Sequence, residues 1–553
     1  MPHLTGKRAL MEQLVADGFH YVFGNPGTTE QPFMDILQDY PQLEYVLCLH
    51  EGVVVGVADA FARATRRPAF VELHIAPGLG NGIGMIFNAL SSHTPLVVYA
   101  GQSASGALFQ EPLLSGDLVS MARPVTKWAY ELAHAADIPQ ALRRALKVAN
   151  DPPVGPAFLS IPIDLMDEDA DVLVEPTSYT RWRVRPEAAA IREAADLLAR
   201  SERPLVLIGD GVALSDAQNE VARIAELIGA PIYSGYASET NVASDHPLVS
   251  GMLPRTSYDA AQVTAKLLSR HDVVLALGTP IFRFAFPAPG GIPVEAKIVQ
   301  IDIDGWEIGK NVPGALGIRA DVKAALSELI ALVSERPPAG ARDRVEAIGA
   351  ATAKRRQEQL AADRAGWDAA PISPARLMSE LAAALPPNAA IFDEAISNSA
   401  ALTRYVTPVE GRYFRARGGG IGPGMPGAIG IKLGMPDRPV VGVVSDGASM
   451  YTITALWTAA HHRIPVTWVL CNNASYQILK QNVSDYLGAG RAGRRFVAMD
   501  LREPRLRFDL IAESMGVHGR RVARPEEIRP ALEEAFALGA PALVDVQIRE
   551  TVA

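Results

Sequence analysis

The sequence predicts an α/β chain of three doubly wound, parallel-sheet domains, and three observations carry that reading. At 553 residues the chain is too long for one hydrophobic core, since domains run to roughly 150 residues. Three times it writes Arg-Pro, an apolar strand-like run, a glycine-bearing turn, a helix-like segment and a Pro that opens a second apolar run. The runs are rich in Val, Ile and Leu and lack a period of two, the pattern of parallel strands buried on both faces.

The paired prolines are Pro68 and Pro95, Pro204 and Pro231, and Pro439 and Pro465, separated by 27, 27 and 26 residues. Each interval fits a strand, a helix and a second strand joined by short turns, a βαβ unit. In the first unit, 69–74 is the strand, the glycines at 78, 80, 82 and 84 form the turn, a helix runs to Leu90, and the second strand begins at Leu96. The second unit has a strand at 205–208, glycines at 209 and 211, a helix to Leu227, and a strand from Ile232. The third has a strand at 440–444, the turn Ser445-Asp446-Gly447, a helix to Ala460, and a strand from Val466. Charged, glycine-poor stretches at 164–185 and 334–368 read as linkers, the second partly helical, which divides the chain into domains at 1–180, 190–335 and 355–553.

Composition narrows the functional class. Hydrophobic residues make up 48% and charged residues 20%, which excludes a disordered chain. A net charge of −9, with scattered Lys and Arg, excludes nucleic acid and anionic membrane surfaces as partners. Cys48 and Cys471 sit in apolar runs and support no disulfide framework. The opening residues lack the apolar stretch of a signal peptide, and no uncharged run reaches the roughly 18 to 20 residues that span a bilayer. A cytoplasmic setting is expected.

Ligands of open α/β sheets collect at the carboxyl ends of the strands. The third unit places Asp446, Gly447, Ala448 and Ser449 at one such end, and Asn473 and Ser475 follow the next strand, 27 residues beyond Asp446. Outward amides attract phosphate, and a carboxylate, an amide oxygen and a nearby carbonyl suit Mg²⁺. Alone, Asp-Gly is an ordinary turn and Asn-Asn an ordinary polar loop. The spacing and the apolar context make the pair informative.

From Val443 to Tyr476 the chain resembles the diphosphate and metal motif of thiamin-diphosphate-dependent enzymes, with Ser445 where that family usually has its first glycine. The segments 23–30, 50–52 and 73–78 supply the other half of the motif set, and the resemblance covers nearly the whole chain. It is closest to benzoylformate decarboxylase, with acetolactate-synthase-like features. This implies thiamin diphosphate and Mg²⁺ as cofactors, with decarboxylation of a 2-oxo acid to an aldehyde and C–C carboligation as activities. Alternatives are an acyloin-forming transferase of the acetolactate synthase type and a non-catalytic homologue.

Carried over residue by residue, the resemblance makes Glu51 the carboxyl that bonds the aminopyrimidine and so activates the thiazolium carbon, in an apolar setting that keeps it protonated. His74 is the proton-transfer group and Thr28 the contact to the substrate carboxylate. Asn25, Pro26, Gly27, Ser397, Gly420 and Ile421 join Glu51, Asp446, Gly447, Ala448, Ser449, Asn473 and Ser475 around the cofactor, and Asp446, Asn473 and Ser475 hold the metal. Phe109, Gln110, Leu113, Leu114, Ala285, Phe286, Ile478 and Asn482 line the substrate pocket, Ala285 standing where the relative has a second histidine. His50, His93, His461 and His462 are expected to be structural. No flavin is expected at 300–304, and the formal dinucleotide fingerprint at 422–427 carries two prolines that remove amides pyrophosphate would need. The resemblance implies a homo-oligomer, a dimer of dimers, with the first domain of one chain facing the third of another.

Overall fold

The computed structural model describes residues 2–235, 237–286, 294–491 and 495–550. Three six-stranded sheets follow one another along the chain, each parallel throughout. The first contains β1 (Tyr21–Asn25), β2 (Glu44–Leu47), β3 (Ala69–Leu73), β4 (Leu96–Gln102), β5 (Trp128–Glu131) and β6 (Ala157–Pro162), in spatial order β2-β1-β3-β4-β6-β5. The second contains β7 (Pro204–Ile208), β8 (Ile232–Ser234), β9 (Val249–Met252), β10 (Val273–Leu277), β11 (Lys297–Asp302) and β12 (Leu316–Arg319), in order β9-β8-β7-β10-β11-β12. The third contains β13 (Ala390–Glu394), β14 (Tyr413–Arg415), β15 (Val440–Ser445), β16 (Thr467–Asn472), β17 (His518–Val522) and β18 (Ala542–Gln547), in order β14-β13-β15-β16-β18-β17. The outer two sheets therefore share one topology and the middle sheet has another.

Each predicted βαβ unit is a pair of adjacent parallel strands: β3 with β4, β7 with β8, and β15 with β16. One element differs. The glycines at 78, 80, 82 and 84 lie inside a 17-residue helix, Ile75–Ser91, rather than in a turn. Their smallness serves packing: a Cβ on Gly82 would stand 3.0 Å from Leu73 and 3.5 Å from Val55, and one on Gly78 would stand 3.0 Å from a Glu51 carboxyl oxygen. Inside the first expected linker, Asp169–Asp171 pairs antiparallel with His3–Thr5 and so returns to the first domain. The second contains the 22-residue helix Ala341–Ala362, which buries none of its residues.

The helix that most constrains the molecule is α1 (Glu51–Thr65), packed on α2 (Ile75–Ser91) and on α3 (Gly424–Gly434) of the third domain. Helices α1 and α3 run parallel in near backbone contact. A Cβ at Gly56 would meet Pro426 at 2.6 Å, one at Gly430 would fall on the Val57 carbonyl and the Phe61 amide, and one at Gly434 would meet Ala64 at 3.0 Å. One hydrophobic core consequently spans both domains, from Val53, Val54 and Val57 through Met425 and Ile429 to Phe392 and Trp468. The middle domain keeps its own core around Val206, Leu275 and Leu329.

The three domains meet at the C-terminal end of α1. Arg63 donates to the Arg415 and Ser238 carbonyls, both at 2.9 Å, and Arg66 pairs with Glu239. The Arg415 amide also donates to Ser238, at 2.7 Å. Arg417 lies 3.2 Å from Asp210, each side chain only 2% exposed. Among the described residues no helix is long and apolar enough to cross a membrane.

Gly430→Val forces a branched side chain into the α1 backbone. Overpacking of this kind costs about 1–3 kcal/mol, so the urea midpoint of the variant falls; an unchanged midpoint would mean that α1 and α3 are not in close contact in solution.

Candidate active site

The first sheet places its candidate residues at one topological switch point. The chain leaves β1 in one direction and returns on its other side as β3, so the loop after β1 and the residues after β3 are neighbours, with Asn25 opposite Leu73. His74 caps α2 there, and its Nδ1 lies 2.8 Å from Glu30 Oε2. Glu30 is fully buried, and it also accepts from the Gly27 and Gly101 amides at 3.0 Å, the Thr29 hydroxyl at 2.6 Å and the Ile75 amide at 3.4 Å. That donor set fixes both the carboxylate and the imidazole it holds. Gly27 makes this possible, because a Cβ there would overlap the His74 ring. Thr28 is exposed on the same short turn.

Glu51 begins α1 and is 6% exposed. Asn25 Nδ2 donates to its Oε1 at 3.2 Å and Asn81 Nδ2 to its Oε2 at 3.0 Å. The apolar setting expected for this carboxyl is thus only partial, since amides occupy both oxygens. Gly78 separates Glu51 from His74, and a Cβ on it would stand 3.0 Å from Glu51 Oε1 and 3.1 Å from His74 Cβ. His50 caps α1 by accepting from the Gly52 amide, and His462 accepts from the Leu47 amide.

The third sheet repeats the arrangement. Ser445 on β15 lies opposite Cys471 on β16, so Asp446 and Asn473 emerge side by side. Asp446 is 3% exposed and accepts from the Gly447 amide at 2.8 Å and the Ala474 amide at 2.6 Å; burial still pushes its carboxyl up to about 6. Asn473 Oδ1 accepts from the Ser475 amide at 3.0 Å. The Ser475 hydroxyl is engaged by Glu550 at 2.8 Å and by the Met499 carbonyl at 3.2 Å. The Tyr476 ring packs over Gly447, where any Cβ would collide, and Ser449 Oγ donates to the Asp446 carbonyl at 2.7 Å. Ser445 has ordinary extended backbone angles, so a serine brings no backbone strain where the related motif has glycine. A buried carboxylate, an amide oxygen and a carbonyl are the hard donors that suit Mg²⁺ with phosphate oxygens completing its shell. Among the described residues no group of three His, Cys, Asp or Glu gathers into a metal cluster.

The loop 418–422 is held from both domains. Asn88 of α2 donates to the Gly420 carbonyl at 2.9 Å and accepts from the Gly420 amide at 3.0 Å. Glu394, at the end of β13, accepts from the Gly422 and Gly424 amides at 2.7 and 2.6 Å, while burial pushes its carboxyl up to about 8. Gly419 and Gly422 have φ of +90° and +109°, which glycine alone adopts without strain. Ile421 packs partly buried against the shared core, and Ser397 is half-buried beyond Glu394.

The expected pocket residues do not gather within one chain. Phe109 and Leu113 are 99% and 88% exposed, Gln110 is exposed beside them, and Leu114 tucks against the shared core. Ala285 and Phe286 lie at the surface of the middle domain. Phe286 reaches the third domain through Tyr258, whose ring is 5.7 Å from Phe286 and 5.4 Å from Tyr486 on α4 (Gln477–Leu487), the helix that carries Ile478 and Asn482. In the middle domain, Gln300 and Asp302 bond their own loop through Gly309, Glu307 and Asp304.

Sequence reasoning missed Glu30, Asn81, Asn88 and Glu394. The two asparagines stand seven residues apart on one face of an otherwise apolar, glycine-rich helix, and Glu30 stands three after Gly27 at capping-box spacing. Those were the available signals.

Comparison with known proteins accounts for most of the chain. Residues 4–116 match the N-terminal TPP binding domain of thiamine pyrophosphate enzymes, 191–329 their central domain and 397–546 their C-terminal TPP binding domain. A benzoylformate decarboxylase of Pseudomonas aeruginosa is 35% identical over 551 residues, 98% of each chain. A sulfoacetaldehyde acetyltransferase of Rhodobacter capsulatus is 30% identical, covering 97% of this chain and 92% of that one. The solved thiamine diphosphate-dependent 4-hydroxybenzoylformate decarboxylase of Rhodococcus jostii RHA1 covers 100% of both chains with a TM-score of 0.85 and 30% identity. On its three matched domains and its full-length similarity, the chain belongs to the thiamine pyrophosphate enzyme family.

Proposed function

We propose that the chain is a thiamin-diphosphate- and Mg²⁺-dependent 2-oxo acid decarboxylase that releases an aldehyde and also joins the retained acyl unit to an aldehyde acceptor. The observation that carries this reading is the placement of buried Glu51 and Glu30-bound His74 on either side of Gly78. Thiamin diphosphate, when bound, supplies a thiazolium carbon that adds to a 2-oxo acid and accepts the electrons freed with CO₂.

The chain's own residues do the rest. Glu51 would hold the pyrimidine through a carboxyl oxygen, its plane set by Asn25 and Asn81. His74, with Nδ1 committed to Glu30, moves the proton at Nε2. Thr28 contacts the substrate carboxylate, and Pro26 and Gly27 shape the loop that carries it. Asp446, Asn473 and the Ser475 carbonyl hold Mg²⁺, while Ser397, Gly447, Ala448 and Ser449 receive the diphosphate. Ile421 and Gly420 support the ring. Phe109, Gln110, Leu113, Leu114, Ala285, Phe286, Ile478 and Asn482 enclose the substrate once a second chain covers Phe109 and Leu113; the assembly proposed is a cytoplasmic dimer of dimers.

An acyloin-forming transferase is the second reading, favoured by Ala285 at the position of a second histidine and by the similarity to an acetyltransferase. Assaying pyruvate and aromatic 2-oxo acids for CO₂, aldehyde and acyloin separates the two. Aldehyde release is expected, with acyloin appearing when aldehyde is added; acyloin without free aldehyde would sink the lyase reading.

Glu51→Gln is expected to lower kcat by about 10²- to 10⁴-fold while calorimetry still detects cofactor binding. Undiminished turnover would remove Glu51 from the chemistry. Asn88→Ala, which loses two hydrogen bonds to Gly420, should weaken cofactor binding by roughly tenfold in the same titration. In both titrations, binding should require Mg²⁺.

A further inference from the structure

The turn that carries two of the proposed metal donors, Asn473 and Ser475, is gripped from outside by an ion-pair cluster that the proposed chemistry does not use. Strand β18 runs beside β16 as far as Gln547, opposite Asn472, so the chain just past β18 emerges next to that turn. Two backbone bonds keep it there. The Ile548 amide donates to the Asn472 carbonyl at 2.9 Å, and the Arg549 amide donates to the Ile372 carbonyl at 2.8 Å. Glu550 follows, with a side chain only 13% exposed. Its Oε1 accepts from the Ser475 hydroxyl at 2.8 Å and stands 2.7 Å from Lys480 Nζ, while its Oε2 is 2.6 Å from Arg502 Nη2.

A second stretch closes the cluster from the other side. Asp500 bridges antiparallel to Ser475, the Tyr476 amide donates to the Met499 carbonyl at 2.9 Å, and the Leu501 amide donates to the Ala474 carbonyl at 2.8 Å. The Asp500 carboxylate lies 2.7 Å from Lys480 Nζ. Lys480 projects from the first turn of α4, and only 6% of its side chain is exposed. Lysine is seldom buried that far unless it is paired, and here two carboxylates pair it. Three stretches distant in sequence thus converge on the Ser475 side chain: α4 through Lys480, residues 499–501 through the backbone, and the segment after β18 through Glu550.

We propose that Glu550 and Lys480 are positioning residues for the Mg²⁺ site, an ionic latch that holds the 473–475 turn in the shape that presents the Asn473 amide oxygen and the Ser475 carbonyl. This rests on the reading of Asp446, Asn473 and Ser475 as the metal donors. The physical reason is preorganisation. A turn free to take other shapes must be ordered when the cation binds, and the entropy lost weakens binding; a turn already locked loses little. Partners that fix a ligand residue from behind therefore act on metal affinity. The latch sets how tightly the cation is held, and the speed of the chemistry is left to the groups that face the substrate.

The test titrates Mg²⁺ into metal-free protein in the presence of excess thiamin diphosphate and follows the heat, with Tm and kcat measured alongside. Glu550→Gln and Lys480→Met are each expected to raise the Kd for Mg²⁺ by about 10- to 100-fold, with kcat at saturating Mg²⁺ little changed. Ser475→Ala removes only the hydroxyl and leaves the charges in place, and it too should weaken Mg²⁺ binding. Because Ser475 and Glu550 form one link, the double variant should lose no more than the larger of the two single losses; losses that multiply would break the link. An unmoved Mg²⁺ affinity in Glu550→Gln or in Ser475→Ala would overturn the proposal even if Tm fell, since an ion pair that serves stability alone moves Tm and not Kd. Asp446→Asn is the reference. If it binds Mg²⁺ as wild type does, the reading of the metal site fails and the latch fails with it; if it loses Mg²⁺ while Glu550→Gln keeps it, the latch alone is wrong.

Discussion

The near contact of α1 and α3 is the constraint on which the rest of the site depends. Two parallel helices can approach this closely only where side chains are missing from the interface, and Gly56, Gly430 and Gly434 remove them. Because the helices are parallel, their N-termini lie at the same end. One end therefore carries both Glu51, on α1, and the loop 418–422 that feeds α3. Asn88, on the neighbouring helix α2, then reaches the Gly420 backbone with both ends of its amide. Packing of apolar helices thus fixes polar groups from two domains against one loop.

Buried carboxyls do much of the fine placement, and their surroundings set what each can do. Glu30 is saturated with donors and acts as a rigid anion for His74. Glu394 sits between two amides and pins the backbone of the glycine loop. Glu51 is held by two side-chain amides, which fix its orientation without a full charge to answer it. Glu72, buried in β3, accepts one hydrogen bond, from the Tyr45 hydroxyl, and burial pushes its carboxyl up to about 8, as it does that of Glu394. Hydrogen bonds to the charged form lower a carboxyl's proton affinity and burial raises it, and in Glu394 and Glu72 burial prevails.

The architecture was legible because βαβ units leave a punctuation of proline, apolar run and glycine that survives in one dimension. Asp446 and Asn473 were legible for a related reason: their 27-residue interval is itself one strand-to-strand repeat. The helical state of 78–84 was hidden because clustered glycines disfavour helix locally and are tolerated only where neighbours press close, as Leu73, Val55 and Glu51 do. Glu30 and Asn88 were hidden more deeply. Their partners are 44 and 332 residues away, and those distances close only when strand order and interdomain packing are known. The pocket residues stand on three domains, and nothing in their local sequence says which surfaces face each other.

The junction of Arg63, Ser238, Glu239 and Arg415 has a consequence for modular design. A middle domain with its own core looks like a cassette that could be excised or exchanged. Here it grips the far end of α1 and the strand immediately before the glycine loop, so it clamps the rear of the lever whose front end carries Glu51. Any replacement cassette would have to reproduce the Ser238 carbonyl that accepts from Arg63 and a carboxylate for Arg417 at the same places. Without them, both halves of the site would lose their common anchor.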